Sequence, residues 1–123
     1  MATLAAQVST AQIGADTFVV SAFGELDIAS VEPFERELAG SIDRGARRLI
    51  VDLTGVMFMD SVALGVLVRD AKRMRSSGGE CVVVADDPRI LRVFEITGLD
   101  RMFEIERSLA EGVDRLVGRI ARA

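Results

Sequence analysis

From Met57 to Val68 the chain reads MFMDSVALGVLV, an apolar stretch broken by one acid and one hydroxyl, Asp60 and Ser61. Burying such a pair without partners is costly, about 2–7 kcal/mol for the hydroxyl alone. The pair therefore belongs where the chain meets solvent, at the start of a helix. Two roles suit Ser61 there. It can cap the helix with its hydroxyl. It can also accept a phosphoryl group, because free N–H groups and the helix dipole favour anions at that end. A phosphate would add about −1.5 to −2 charge beside Asp60 and burden any partner docked on the surface.

Other residues offer less. Glu25 and Asp27 form a carboxylate pair, as a glycosidase needs, yet the chain has no Trp or Tyr to stack a sugar. Solvated acids or caps fit them better. Asp86 and Asp87 read as caps. Arg69, Lys72, Arg73 and Arg75 lie late in a helix, complement its dipole and read as a solvated face. Cys81, within a buried strand, reads as a small hydrophobe. Alternation would send Phe58 inward and turn Met57 and Met59 towards the surface, where methionine suits an adaptable docking face. There is no phosphate-binding glycine loop.

Composition narrows the classes further. The 123 residues, half of them apolar and 28% charged, suit one globular domain spanning 1–123. The net charge of −4 argues against a nucleic-acid partner, which would call for a basic patch. The chain contains no His, so Ser-His-Asp and Cys-His catalysis cannot be assembled from it, nor can a zinc site of the usual Cys/His type. No enzyme, metal or cofactor is expected. A single cysteine suits a reducing cytoplasm. No apolar run reaches the ~20 residues of a membrane span, and the N-terminus lacks the pattern of a signal peptide.

The elements that must position Ser61 follow from periodicity. Thr17–Gly24 is a strand, Thr3–Ser9 a weaker one, and Gly14 and Asp16 turn between them. Val31, Phe34, Leu38 and Ile42 make a helical stripe with Ser30 as cap, Pro33 in the first turn and Gly45 as stop. Leu49–Leu53 is a buried strand ended by Gly55, followed by a loop. A second helix runs from near Ser61 to Gly78-Gly79, with Leu64, Leu67, Val68, Ala71 and Met74 inward. ECVVVAD is a further strand. A third helix is capped by Asp87, opened by Pro88 and stopped by Gly98. RMFEI is a short last strand. Ser108 and Glu111 open a final helix with a capping box, its stripe being Leu109, Val113, Leu116, Val117 and Ile120. The order β-β-α-β-α-β-α-β-α implies an α/β fold. Its sheet is small, mixed and mostly parallel, with about five strands and four helices.

GELD after a strand, then VDLTGVMFMDSVALGVLV, then GGE and ITGLDRMF, resembles the STAS domain of bacterial anti-sigma factor antagonists. The likeness spans about residues 5–120 and is most specific over Asp52–Leu67. It implies a partner-switching regulator. The unphosphorylated protein would bind an anti-sigma factor, often itself a serine kinase, and so free a sigma factor for transcription. Phosphorylation would block that binding and a serine phosphatase would restore it. Residue by residue, the resemblance makes Ser61 the phosphoacceptor. Asp27, Met57, Met59, Asp60, Ser61 and Val62 would form the partner-facing surface. After the Asp-Ser step the family commonly carries a second hydroxyl. Here Val62 replaces it, and a neighbouring phosphoacceptor is lost.

Two alternatives remain. One is a STAS module that senses a nucleotide or other small molecule, which would need a pocket with converging polar groups. The other is a phosphoaspartate receiver with Asp52 as acceptor. A receiver needs an acidic pair after its first strand and a later lysine, whereas these acids follow the second strand and the only lysine is Lys72.

Overall fold

The computed structural model describes residues 6–122, with side chains through residue 118. Five strands form one sheet in sequential order: β1 (Gln7–Gln12), β2 (Thr17–Leu26), β3 (Arg48–Met59), β4 (Glu80–Val84) and β5 (Glu104–Glu106). β1 and β2 pair antiparallel, and every later pair is parallel. The helices are α1 (Glu32–Asp43), α2 (Ser61–Ser76), α3 (Pro88–Ile96) and α4 (Leu109–Arg122), with a 3-10 turn at Leu99–Arg101. The expected element order and mixed sheet are thus observed.

Three parallel crossovers advance across the sheet in one direction. With the usual right-handed connection this stacks their helices on one face. Phe34 and Leu38 of α1, Ala63, Leu67 and Met74 of α2, and Ile90 and Phe94 of α3 accordingly share one core. They pack with Phe18, Val20, Leu49, Val51, Leu53 and Val83 of the sheet. α4 follows the last strand, is not a crossover, and covers the other face through Val113 and Leu116 against Val19, Ile50, Val82 and Val84.

Several local expectations are corrected. β1 begins at Gln7 rather than Thr3, and residues 3–5 of that candidate lie outside the described part. Ser30 does not cap α1, whose N-cap position is Val31 without a side-chain bond. The Ser30 hydroxyl instead accepts the Asp27 amide and donates to the Glu25 carbonyl. The basic residues of α2 are exposed, as expected, and three of them also make contacts. Arg69 pairs with Glu35 and Asp70, Arg73 with Asp43, and Arg75 donates to the Met102 carbonyl while lying over the Phe103 ring. Asp87 caps α3 as expected, and its bonds to Arg89 hold the carboxyl below its usual range. The Ser108 hydroxyl accepts the Glu111 amide at the head of α4. Ile120 lies outside the described side chains.

The largest departure is in β3. Gly55 does not end it; the strand runs six residues beyond Leu53 to Met59. Its pairing with β2 shifts twice. Ser21 faces Asp52 but Phe23 faces Gly55, and Gly24 faces Val56 but Glu25 faces Phe58. At each shift β3 carries one extra residue, a bulge that re-aims the side chains beyond it. The inward residues are therefore Leu49, Val51, Leu53, Val56 and Met59, a spacing that widens from two to three. Asp52 fixes the first bulge, its Oδ1 accepting both the Thr54 amide at 3.0 Å and the Thr54 hydroxyl at 2.8 Å. Gly55 is required because the Phe23 ring lies across it. A Cβ there would sit 2.2 Å from Phe23 Cδ1.

Candidate functional site

The exits of β2 and β3 and the start of α2 meet at the carboxyl end of the parallel strands, the usual place for recognition in such sheets. Asp60 joins them. Its amide donates to the Leu26 carbonyl at 3.0 Å, continuing the β2–β3 pairing by one residue. Its Oδ1 accepts the Val62 and Ala63 amides at 3.0 and 3.1 Å. Its Oδ2 accepts the Ile28 amide at 3.0 Å. Asp60 is thus the N-cap of α2, and the expectation that Ser61 caps it is corrected. Ser61 is the first helical residue, exposed within the turn that Asp60 caps.

Asp27 lies on the same rim, but its carboxylate points into its own turn. Oδ1 accepts the Ala29 and Ser30 amides at 2.9 and 3.0 Å. A short carboxylate closing a turn in this way is ordinary Asx chemistry. Asp27 and Asp60 together leave the intervening Ile28 fixed by its backbone, with its side chain 75% exposed.

The expected alternation at Met57–Met59 holds for Met57 and fails for Phe58 and Met59. Met59 is 3% exposed and belongs to the core, whereas Met57 and Phe58 are both exposed. The two bulges explain this: each adds one residue to β3, so Val56 and Met59 face inward three apart and both Met57 and Phe58 lie outside between them. Met59 is therefore corrected from surface to core. Val62 faces solvent beside Ser61.

Sequence reasoning passed over Ile28 and Phe58. A signal for Ile28 was present: an isoleucine placed between Asp27 and Ser30, in a segment otherwise composed for a turn. Phe58 carried no comparable signal, because Gly55 reads as the end of the strand and hides its continuation to Met59. Among the described residues, nine large apolar side chains are exposed, and five of them, Phe23, Ile28, Met57, Phe58 and Val62, come from the outer halves of β2 and β3, the turn after β2 and the first turn of α2. Cys81, by contrast, is buried, and burial pushes its thiol up to about 12. No cluster of three or more potential metal-ligating side chains occurs among the described residues, and no helix among them is long and apolar enough to cross a membrane.

The model of the STAS domain matches residues 8–112. The chain belongs to the STAS domain family. One relative, the anti-sigma-B factor antagonist of Staphylococcus aureus, is 34% identical over 88 residues, covering 72% of this chain and 82% of that protein. An anti-sigma factor antagonist from Mycobacterium paratuberculosis superposes with a TM-score of 0.84 at 24% identity, over 90% of this chain and 93% of that one. SpoIIAA, an anti-sigma factor antagonist solved in its unphosphorylated form, gives a TM-score of 0.78 at 23% identity, over 91% and 97% of the two chains. SpoIIAA of Bacillus has also been solved in the phosphorylated form, with a TM-score of 0.72 at 22% identity, over 89% and 99%. These neighbours share this STAS fold.

Proposed function

We propose that this STAS protein is an anti-sigma factor antagonist. With Ser61 free it binds an anti-sigma factor of the serine-kinase type and thereby releases a sigma factor. With Ser61 phosphorylated it lets that partner go, and a serine phosphatase resets it. The observation that carries this reading is the position of Ser61, exposed on the first turn of α2 within the stretch of surface where the chain concentrates its solvent-facing apolar side chains.

The geometry also supports how such a switch would work. A helix N-terminus ordinarily neutralises an anion with its free amides. Here Asp60 already occupies those of Val62 and Ala63. A phosphate on Ser61 would therefore stay on the solvent side, beside a carboxylate, and present its charge to the partner. No unfolding is needed. In a partly desolvated interface an added like charge costs several kcal/mol, and each 1.4 kcal/mol is a factor of about ten in affinity.

The test is to incubate the protein with ATP and each purified anti-sigma factor kinase of its source organism. Phosphate is then mapped by mass spectrometry, and binding of Ser61→Ala and Ser61→Asp is compared with wild type. Phosphate at Ser61, with Ser61→Asp alone losing the partner, is the expected result. Equal binding by both variants and wild type would sink the switch.

A further inference from the structure

At the opposite end of α2 from Ser61, the sheet carries a notch beside the amino end of β4. β4 pairs with β3 from Glu80 onwards but with β5 only over Val82–Val84. The Glu80 amide donates to the Arg47 carbonyl on the β3 side, so by strand alternation the Cys81 amide faces the β5 side. One further step of the parallel ladder would give that amide the Met102 carbonyl. The Met102 carbonyl accepts the Arg75 guanidinium instead, and the Cys81 amide has no acceptor among the described residues. Cys81 is buried, and a buried N–H is almost always bonded to protein, water or ligand. Cys81 lines a cavity of about 310 Å³ together with Arg75 and Arg101. Neither arginine pairs with a carboxylate among the described residues.

We infer that this notch binds a small molecule through a phosphoryl group, held by the Cys81 amide and the guanidiniums of Arg75 and Arg101. Guanidinium forks and main-chain N–H groups are the donors that suit phosphate oxygens. Arg75 is already fixed by the Met102 carbonyl and by the Phe103 ring, 5.6 Å from its guanidinium carbon, so little freedom is left to lose on binding. The cavity is at the small end for ligand sites, which run from about 300 Å³ upwards, and so suits a compact organic phosphate. Two acids also line it, Glu80 and Glu104, but from the α4 side of the sheet. Glu104 pairs with Arg115 of α4, and Glu80 alternates with Val82 and Val84, which α4 covers. Arg75 lies with Phe103 on the other side. The negative end of the α2 dipole is muted here, because the Ser77, Gly78 and Gly79 amides turn back onto the Met74 and Arg75 carbonyls.

The test titrates sodium pyrophosphate into the full chain at constant ionic strength and follows backbone amides and arginine Nε–H groups by NMR. The Cys81 amide and the Arg75 and Arg101 side chains should shift together and saturate, with the amides around Ser61 unmoved. Arg101→Gln should weaken binding about tenfold, as for a lost charge-assisted bond. Arg101 is exposed, so the urea midpoint of this variant should match wild type and separate binding from folding. Arg75→Gln should weaken binding at least as much. Arg92→Gln removes an equal charge from an exposed position on α3 and should bind as wild type. No saturable shift at Cys81, or equal weakening by Arg92→Gln and Arg101→Gln, would overturn the site.

Discussion

The carboxylate of Asp60 accepts the backbone amide of Ile28 at 3.0 Å across 32 residues of sequence. This one bond ties the turn after β2 to the head of α2, so the two segments that frame Ser61 move as one piece. The same carboxylate caps α2, and the residue beside Ser61 is therefore structural in two directions.

Asp60→Ala should cost about 2 kcal/mol or more in urea unfolding, combining loss of an N-cap with loss of a charge-assisted bond. Asp60→Asn, which keeps one carbonyl acceptor, should cost less. A loss below about 0.5 kcal/mol for Asp60→Ala would contradict the latch.

Ser61→Ala should leave stability within about 0.5 kcal/mol of wild type, because Ser61 is exposed and does not cap. Were Ser61 the cap, the same change would cost about 1 kcal/mol. Urea midpoints of Ser61→Ala and Asp60→Ala, measured side by side, separate the two assignments.

Gly55→Ala should destabilise by about 1–3 kcal/mol, since its Cβ would collide with the Phe23 ring and displace it. In a Phe23→Ala background the same change should be far cheaper. Additive effects in this double-mutant cycle would show that the ring is not the obstacle.

Asp52→Ala should cost about 1–2 kcal/mol by freeing the Thr54 amide and hydroxyl. It should also slow phosphorylation of Ser61, because the bulge it fixes sets the register of β3 beyond Leu53. An unchanged phosphorylation rate in a variant that still folds would separate the bulge from the site.

Cys81 should resist alkylation in the native protein at pH 8 and react promptly in urea. Burial raises its thiol from 9.0 to about 12, so the folded state holds the proton more tightly than the unfolded one. Its contribution to stability is full below pH 9 and is lost as pH rises from there towards 12. Rapid native-state labelling at pH 8 would be inconsistent with this burial.

The order of strands and helices was legible because it rests on local pattern. Phe34 and Leu38 mark a helical face, Val82–Val84 a buried strand, and Asp87-Pro88 and Gly98 the ends of α3, each within a few residues of chain. The Asp-Ser step was legible too, since an acid and a hydroxyl in an apolar run belong where the chain surfaces. Periodicity could not reach past Leu53. Two extra residues in β3 exist only relative to β2, and each widens the inward spacing from two residues to three, so that Val56 and Met59 are core with both Met57 and Phe58 outside between them.

The choice of cap was equally non-local. Asp60 and Ser61 are both good capping residues, and nothing between Met57 and Val68 ranks them. The Leu26 carbonyl and the Ile28 amide, more than thirty residues upstream, select Asp60 because it can satisfy them and the helix at once. Sequence alone therefore determined the elements, their order and the surfacing of the Asp-Ser step that the proposed switch uses. Only the tertiary structure decided which side chains surround that step, because register and cross-strand hydrogen bonds belong to pairs of segments and not to either one.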